Sequence, residues 1–225
     1  MHNILKTMLL SAMLGITVNV DATSLGLATS SAGYAHWDTF SSVSFTNDTP
    51  DNFNDIDFTA TLSSSLAAGM ILPSGGSGDR LYSGSGATPN AFDFTINVTA
   101  AQAIETFSLQ IKFTTPLQDG TDEAKQDAAE SFFTINTPIG WGGGYQVLID
   151  KGIEGNSFFI YAWTWTGLNI SAFDTFAIGI TSPPGHVSVD GIRIDAAAVP
   201  EPATYAAIIG GLALAGVMIL RRHRR

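Results

Sequence analysis

Few side chains in this sequence are equipped for chemistry, and their spacing argues against most reactions. The 225 residues include no cysteine, which removes thiol nucleophiles, disulfide frameworks and thiolate zinc sites. Ser77 and Ser85 lie in Gly/Ser-rich stretches, but Asp79 and Ser83 stand where a G-x-S-x-G elbow needs glycine. His36 and His186 have no neighbours at zinc-ligand spacing. His36 opens His36-Trp37-Asp38 and reads as a surface or strand-edge residue; His186 follows Pro183-Pro184-Gly185 and reads as part of a turn. Glu105 and Glu130 could meet as the acid and base of a glycosidase, yet any chain with 20 acidic residues allows such a pairing. Gly142-Gly143-Gly144 after Trp141 lacks the G-K-[ST] of a phosphate loop and reads as a flexible hairpin loop. The expectation is a protein with no catalytic residues.

Two stretches could bind rather than react. Residues 47–55 are rich in oxygen ligands, with Asp48, Asp51 and Asp55 as candidate calcium ligands; calcium takes about six to eight oxygens. An EF-hand is excluded, because Phe53 and Ile56 occupy the third and sixth positions counted from Asp51. The alternative is a solvated acidic turn, and no other cofactor is called for. The second stretch is Phe158-Phe159-Ile160-Tyr161-Ala162-Trp163-Thr164-Trp165. As a strand, it puts Phe158, Ile160 and Ala162 on one face and Phe159, Tyr161, Trp163 and Trp165 on the other. If the first face is core, Tyr161, Trp163 and Trp165 form an exposed aromatic row suited to sugar rings. If both faces are covered, the rings are core.

The elements that must position these residues are strands. Strict alternation of apolar and polar residues marks 55–62, 92–99 and 107–113. Further strands are expected at 39–46, 132–136, 145–150, 157–166, 175–181 and 187–194. Gly/Ser/Pro-rich pieces such as 73–89 and 182–185 separate them as loops. Only 122–131 looks helical. Short strands without βα alternation indicate an all-β antiparallel sandwich, with a jelly-roll variant preferred. In 187–194, Val187 and Val189 have the opposite parity to Ile192 and Ile194, so a bulge is expected at Asp190-Gly191.

Charge and hydropathy divide the chain further. The formal charge is −10, and five basic residues face 18 acidic ones between residues 23 and 199. Nucleic-acid binding, which needs a basic footprint, is excluded. Residues 1–22 carry Lys6, an apolar run from Met8 to Val18 and small residues before Ala22. That is the order of a secretory signal peptide, and the run falls short of the about 20 residues needed to span a bilayer. At the other end, Val199-Pro200-Glu201-Pro202 precedes an uncharged stretch from Ala203 to Leu220 and then Arg221-Arg222-His223-Arg224-Arg225. As a helix this stretch would be about 27 Å long, enough to cross a hydrocarbon core, with the arginines on the cytoplasmic side.

Those three elements in that order resemble the PEP-CTERM sorting signal of Gram-negative bacteria, over residues 199–225; His223 interrupts the arginine cluster. The resemblance implies that Pro200, Glu201 and Pro202 are the recognition triad and Arg221, Arg222, Arg224 and Arg225 the retention cluster for an exosortase. It also implies export, from an inner-membrane-anchored precursor to the cell envelope, outer surface or extracellular matrix, in systems that make exopolysaccharide for biofilm or floc. The expected organisation is a signal peptide at 1–22, a sandwich ectodomain at 23–195, a linker at 196–204 and a transmembrane helix with its arginine tail at 205–225. The expected function is structural or exopolysaccharide-associated. A carbohydrate-binding module with an exposed aromatic row is the first alternative, and a secreted glycoside-active enzyme the second. A binding module requires Trp163 and Trp165 outside; a structural protein buries them.

Overall fold

Where the apolar–polar alternation is strict, it becomes sheet. In Asp93–Ala100, the side chains of Phe94, Ile96, Val98 and Ala100 are buried, and those of Asp93, Asn97 and Thr99 are exposed. The computed structural model describes residues 33–198, apart from 55–57, 67–68, 74–78, 86–87, 118, 143 and 152–157. The expected signal peptide, Asp55, and the sorting signal at 199–225 lie outside the described residues.

In chain order the strands are β1 (Gly33–Trp37), β2 (Ser44–Asp48), β3 (Asn52–Asn54), β4 (Phe58–Ser65), β5 (Met70–Pro73), β6 (Asp79–Tyr82), β7 (Gly84–Ser85), β8 (Thr88–Pro89), β9 (Asp93–Ala100) and β10 (Ile104–Thr114). One helix follows, α1 (Asp122–Glu130), and then β11 (Thr134–Asn136), β12 (Tyr145–Lys151), β13 (Phe158–Trp165), β14 (Thr175–Thr181) and β15 (Ser188–Ala198). The larger sheet has the order β12-β13-β10-β15-β1-β3, with β6 on β15 and β5 on β6. The smaller runs β11-β14-β9-β4-β2, and β7 pairs with β8 alone. Every pairing between these strands is antiparallel. Phe107, Leu109, Ile111 and Phe113 of β10 share one apolar core with Leu62, Ile96, Ile178 and Ile180 of the smaller sheet. The protein is therefore all-β, two antiparallel sheets closed on one core, as the alternation predicts.

The bulge is where the parity change places it. Lys112 pairs with Gly191 but Phe113 with Val189, so Asp190 is the extra residue. It returns Val187, Val189, Ile192 and Ile194 to one side, and all four are fully buried. The helix also forms where expected, capped by Thr121, whose hydroxyl accepts from the Ala124 amide at 3.2 Å.

Three expectations are corrected. The strand expected from residue 39 begins only at Ser44, because the Asp51 carboxylate takes the Asp38 and Thr39 amides at 2.8 and 2.9 Å and holds them as a loop. The Gly/Ser-rich region at 73–89 contains β6, β7 and β8. His36, expected at the surface or a strand edge, is 7% exposed, because its strand β1 sits between β15 and β3 and is buried for most of its length.

Register also fixes which loops lie together. Thr175 pairs with Thr99, Phe58 with Ala100, Ala198 with Ile104, Gly33 with Ala196, and Trp165 with Phe107. The connections 101–103, 137–144 and 166–174 therefore share one end of the sandwich with the start of β1 and the last residue of β15. Residues 182–187 and the start of α1 occupy the other.

A tryptophan-lined cavity as the candidate functional site

The aromatic strand β13 faces inward with its large rings. Directly opposed residues in a sheet project to the same face. Trp165, Trp163, Tyr161 and Phe159 are opposite Phe107, Leu109, Ile111 and Phe113, all core residues. The exposed row is thus corrected: Tyr161, Trp163 and Trp165 are 2%, 8% and 5% exposed. Phe158, Ile160 and Ala162 instead align with Thr114, Lys112 and Gln110 on the opposite face. The cause is neighbourhood: β13 is flanked by β12 and β10, and the smaller sheet, α1 and the 137–144 loop supply cover for the face with the larger apolar area.

Each ring has its own partner. The Tyr161 hydroxyl donates to the Gln126 carbonyl of α1 at 3.3 Å. Burial, aided by the charges of Glu130 and Asp127, pushes its pKa up to about 12. Trp165 lies 6.4 Å from Phe107 and 5.6 Å from Trp141, and Trp141 lies 5.2 Å from Phe176 of β14. Gly144 crosses the Trp165 indole so closely that a Cβ there would stand 2.4 Å from Nε1 and 2.6 Å from Cε2. Only glycine permits that approach. At this residue the supposed flexible hairpin is instead packed backbone.

These residues border an open cavity of about 310 Å³ lined by Ile135, Thr137, Trp141, Gly142, Gly144, Trp163 and Trp165. No lining residue is charged. The cavity offers π faces, indole N–H donors and one hydroxyl, a set that can hold a small ring. Trp141 is the member that sequence reasoning missed. Its signal was a tryptophan directly before three glycines, a bulky ring beside backbone able to pass close to another.

The other candidates have structural employment. Asp51 spends one carboxylate oxygen on two backbone amides. Asp48 offers its backbone carbonyl to Trp37 Nε1 at 3.2 Å, and burial, with Asp51 nearby, raises its carboxyl pKa. Among the described residues no group of three or more His, Cys, Asp or Glu side chains could hold a metal. His186 Nδ1 is 2.9 Å from the Tyr82 hydroxyl. Glu105 is exposed at the start of β10 and Glu130 at the end of α1.

A second polar constellation lies on the opposite face of the larger sheet. Arg193 and Asp195 are 3% and 7% exposed, and the guanidinium grips the carboxylate through Nε at 3.1 and 3.0 Å and a terminal nitrogen at 2.8 Å. The same guanidinium lies 4.4 Å from the centre of the Tyr34 ring. Burial raises the Asp195 pKa, and Arg193 opposes the rise. His36, opposite Arg193 in β1, has its pKa lowered by burial against the pull of Asp38. This cluster is built like a structural ion pair.

Compared with known protein families and with curated proteins, the chain matches no family model and no curated protein.

Proposed function

We propose that this chain is an exported structural component of the cell envelope or extracellular matrix, delivered by an N-terminal signal peptide and sorted by an exosortase. The observation that carries the structural reading is the burial of Trp163 and Trp165 at 8% and 5% exposure. With the largest rings inside, no flat aromatic platform remains on β13. Five basic against 18 acidic side chains between residues 23 and 199 leave a surface that resists nonspecific adhesion. The sandwich is taken as a jelly-roll variant. The linker from its last strand to Pro200-Glu201-Pro202 is short, so the precursor holds the domain beside the membrane. Replacing Pro200, Glu201 and Pro202 by alanine tests the sorting half. The variant should accumulate as inner-membrane precursor while the wild type reaches the envelope or matrix; an unchanged distribution would refute it.

The tryptophan cavity favours a second reading, in which the domain holds a single sugar ring of the exopolysaccharide around it. Titration with oligosaccharides from the host's own polymer, followed by tryptophan fluorescence, tests that reading. It requires a saturable change that Trp141→Ala abolishes.

A further inference from the structure

Met70, Leu117 and Val147 are exposed at 38–42%, but the largest exposures lie elsewhere. The four most exposed large hydrophobics among the described residues are Ile139 at 105%, Phe173 at 81%, Phe53 at 58% and Tyr145 at 57%. Three of them, Ile139, Phe173 and Tyr145, belong to the end of the sandwich where the chain leaves β15; Phe53 lies on the edge strand β3, level with the middle of β15. Ile139 is in the loop joining β11 to β12, and Tyr145 is the first residue of β12. Phe173 is in the loop entering β14. Phe173 is also held at φ 71°, the left-handed region that a bulky side chain avoids. The turn beneath it is fixed by its own amide on the Ala100 carbonyl at 2.8 Å and by the Ser171 amide on Asp174 Oδ2 at 3.0 Å. The fold therefore presents this ring outward at a conformational cost, and tethers it.

Chain length says what these side chains meet. β15 ends at Ala198, and the uncharged stretch begins at Ala203. Five residues reach at most about 18 Å even when fully extended. If that stretch lies in lipid, as the proposed sorting signal requires, this end of the sandwich cannot leave the membrane surface. Single large apolar and aromatic side chains at such a surface enter the headgroup boundary, as interfacial anchors do.

We infer that the end of the sandwich bearing Ile139, Phe173 and Tyr145 docks on the lipid bilayer and fixes the domain's orientation there. The contact is apolar: Glu105 and Asp174 stand at the same end and would oppose attraction to anionic headgroups. It sets the height of Pro200-Glu201-Pro202 above the bilayer, so that the recognition triad is offered at the interface. This rests on the reading of residues 203–220 as a membrane span.

The chain's lack of cysteine makes the test clean. Single cysteines at Ile139, Phe173 and, as a control at the opposite end, Pro184 are labelled with an environment-sensitive fluorophore. The full-length precursor is then reconstituted in phosphatidylethanolamine–phosphatidylglycerol vesicles. The inference expects blue-shifted emission at 139 and 173 and loss of intensity to a headgroup-attached quencher, at low and high salt alike, with neither effect at 184. A membrane-bound precursor whose three labels all stay in water overturns the docking but leaves the span intact. Labels at 139 and 173 shielded from water yet untouched by the lipid quencher also overturn it, in favour of a second copy as occupant. A precursor that does not associate with vesicles refutes the span itself, and the docking with it.

Discussion

Removing Asp195 should expose how much of the larger sheet depends on one ion pair. Arg193 and Asp195 are both more than nine-tenths buried and joined by three contacts of 2.8–3.1 Å. Gln110 Nε2 adds only a long contact to Asp195 Oδ2, at 3.5 Å. Asp195→Ala therefore strands a guanidinium that no other carboxylate reaches among the described residues, and breaking such a pair from one side costs about 3–5 kcal/mol. For a chain of this size each kcal/mol moves the melting temperature by about 2–4 °C, so the variant should melt roughly 6–20 °C lower. Removing both charges is different, because the desolvation of two ions disappears with their attraction. Arg193→Met with Asp195→Leu should recover most of the loss. The assay is thermal unfolding of the full chain in detergent, followed by tryptophan fluorescence, for the wild type, Arg193→Met, Asp195→Leu and the double variant, with Asp195→Ala alongside. A single variant melting within a degree of the wild type would mean that the guanidinium is hydrated in solution, and the buried-pair argument would fail.

Other predictions rest on separate contacts. Gly144→Ala should destabilise by about 1–3 kcal/mol, as overpacking does, because the Cβ overlaps an indole that Phe107 and Trp141 keep in place; a neutral melting temperature would show the loop already lifted. His36 makes stability depend on pH. Its folded pKa lies below the ordinary histidine value, so the unfolded chain takes up that proton first and stability falls as pH drops through about 6.5. Denaturant titrations at pH 7.5 and 5.5 should show that loss, reduced in His36→Gln; equal losses in both proteins would remove His36 as the cause. Asp51→Ala should cost about 1–2 kcal/mol through the two amides it abandons, and millimolar calcium should leave the melting temperature of the wild type unchanged. A calcium-dependent rise abolished by Asp51→Ala would restore the metal reading.

Much of the fold was legible because several of its long strands alternate cleanly. β9 and β10 could be read residue by residue, and the parity break around Asp190 even predicted where β15 carries its extra residue. The short strands were hidden for a physical reason. β5 to β8 have between two and four residues each, too few for a period to show, and they lie among glycines and serines that read as loop. β1 was missed because its side chains are buried almost throughout, including polar His36, so no polar–apolar alternation marks it. The site was legible in part. Composition singled out Trp163 and Trp165, but the same alternation serves either face, and only the pairing of β13 with β10 decides which one is inside. Trp141 joins them from a loop 22 positions before Trp163, a proximity made by the β11–β12 connection and by the absence of a Cβ at Gly144.

The most direct test is the intact mass and location of the wild-type protein in fractionated host cells. The account predicts an envelope or matrix species that has lost residues 1–22 and the segment following Pro200-Glu201-Pro202. An unprocessed 225-residue chain recovered in the cytosol would contradict it.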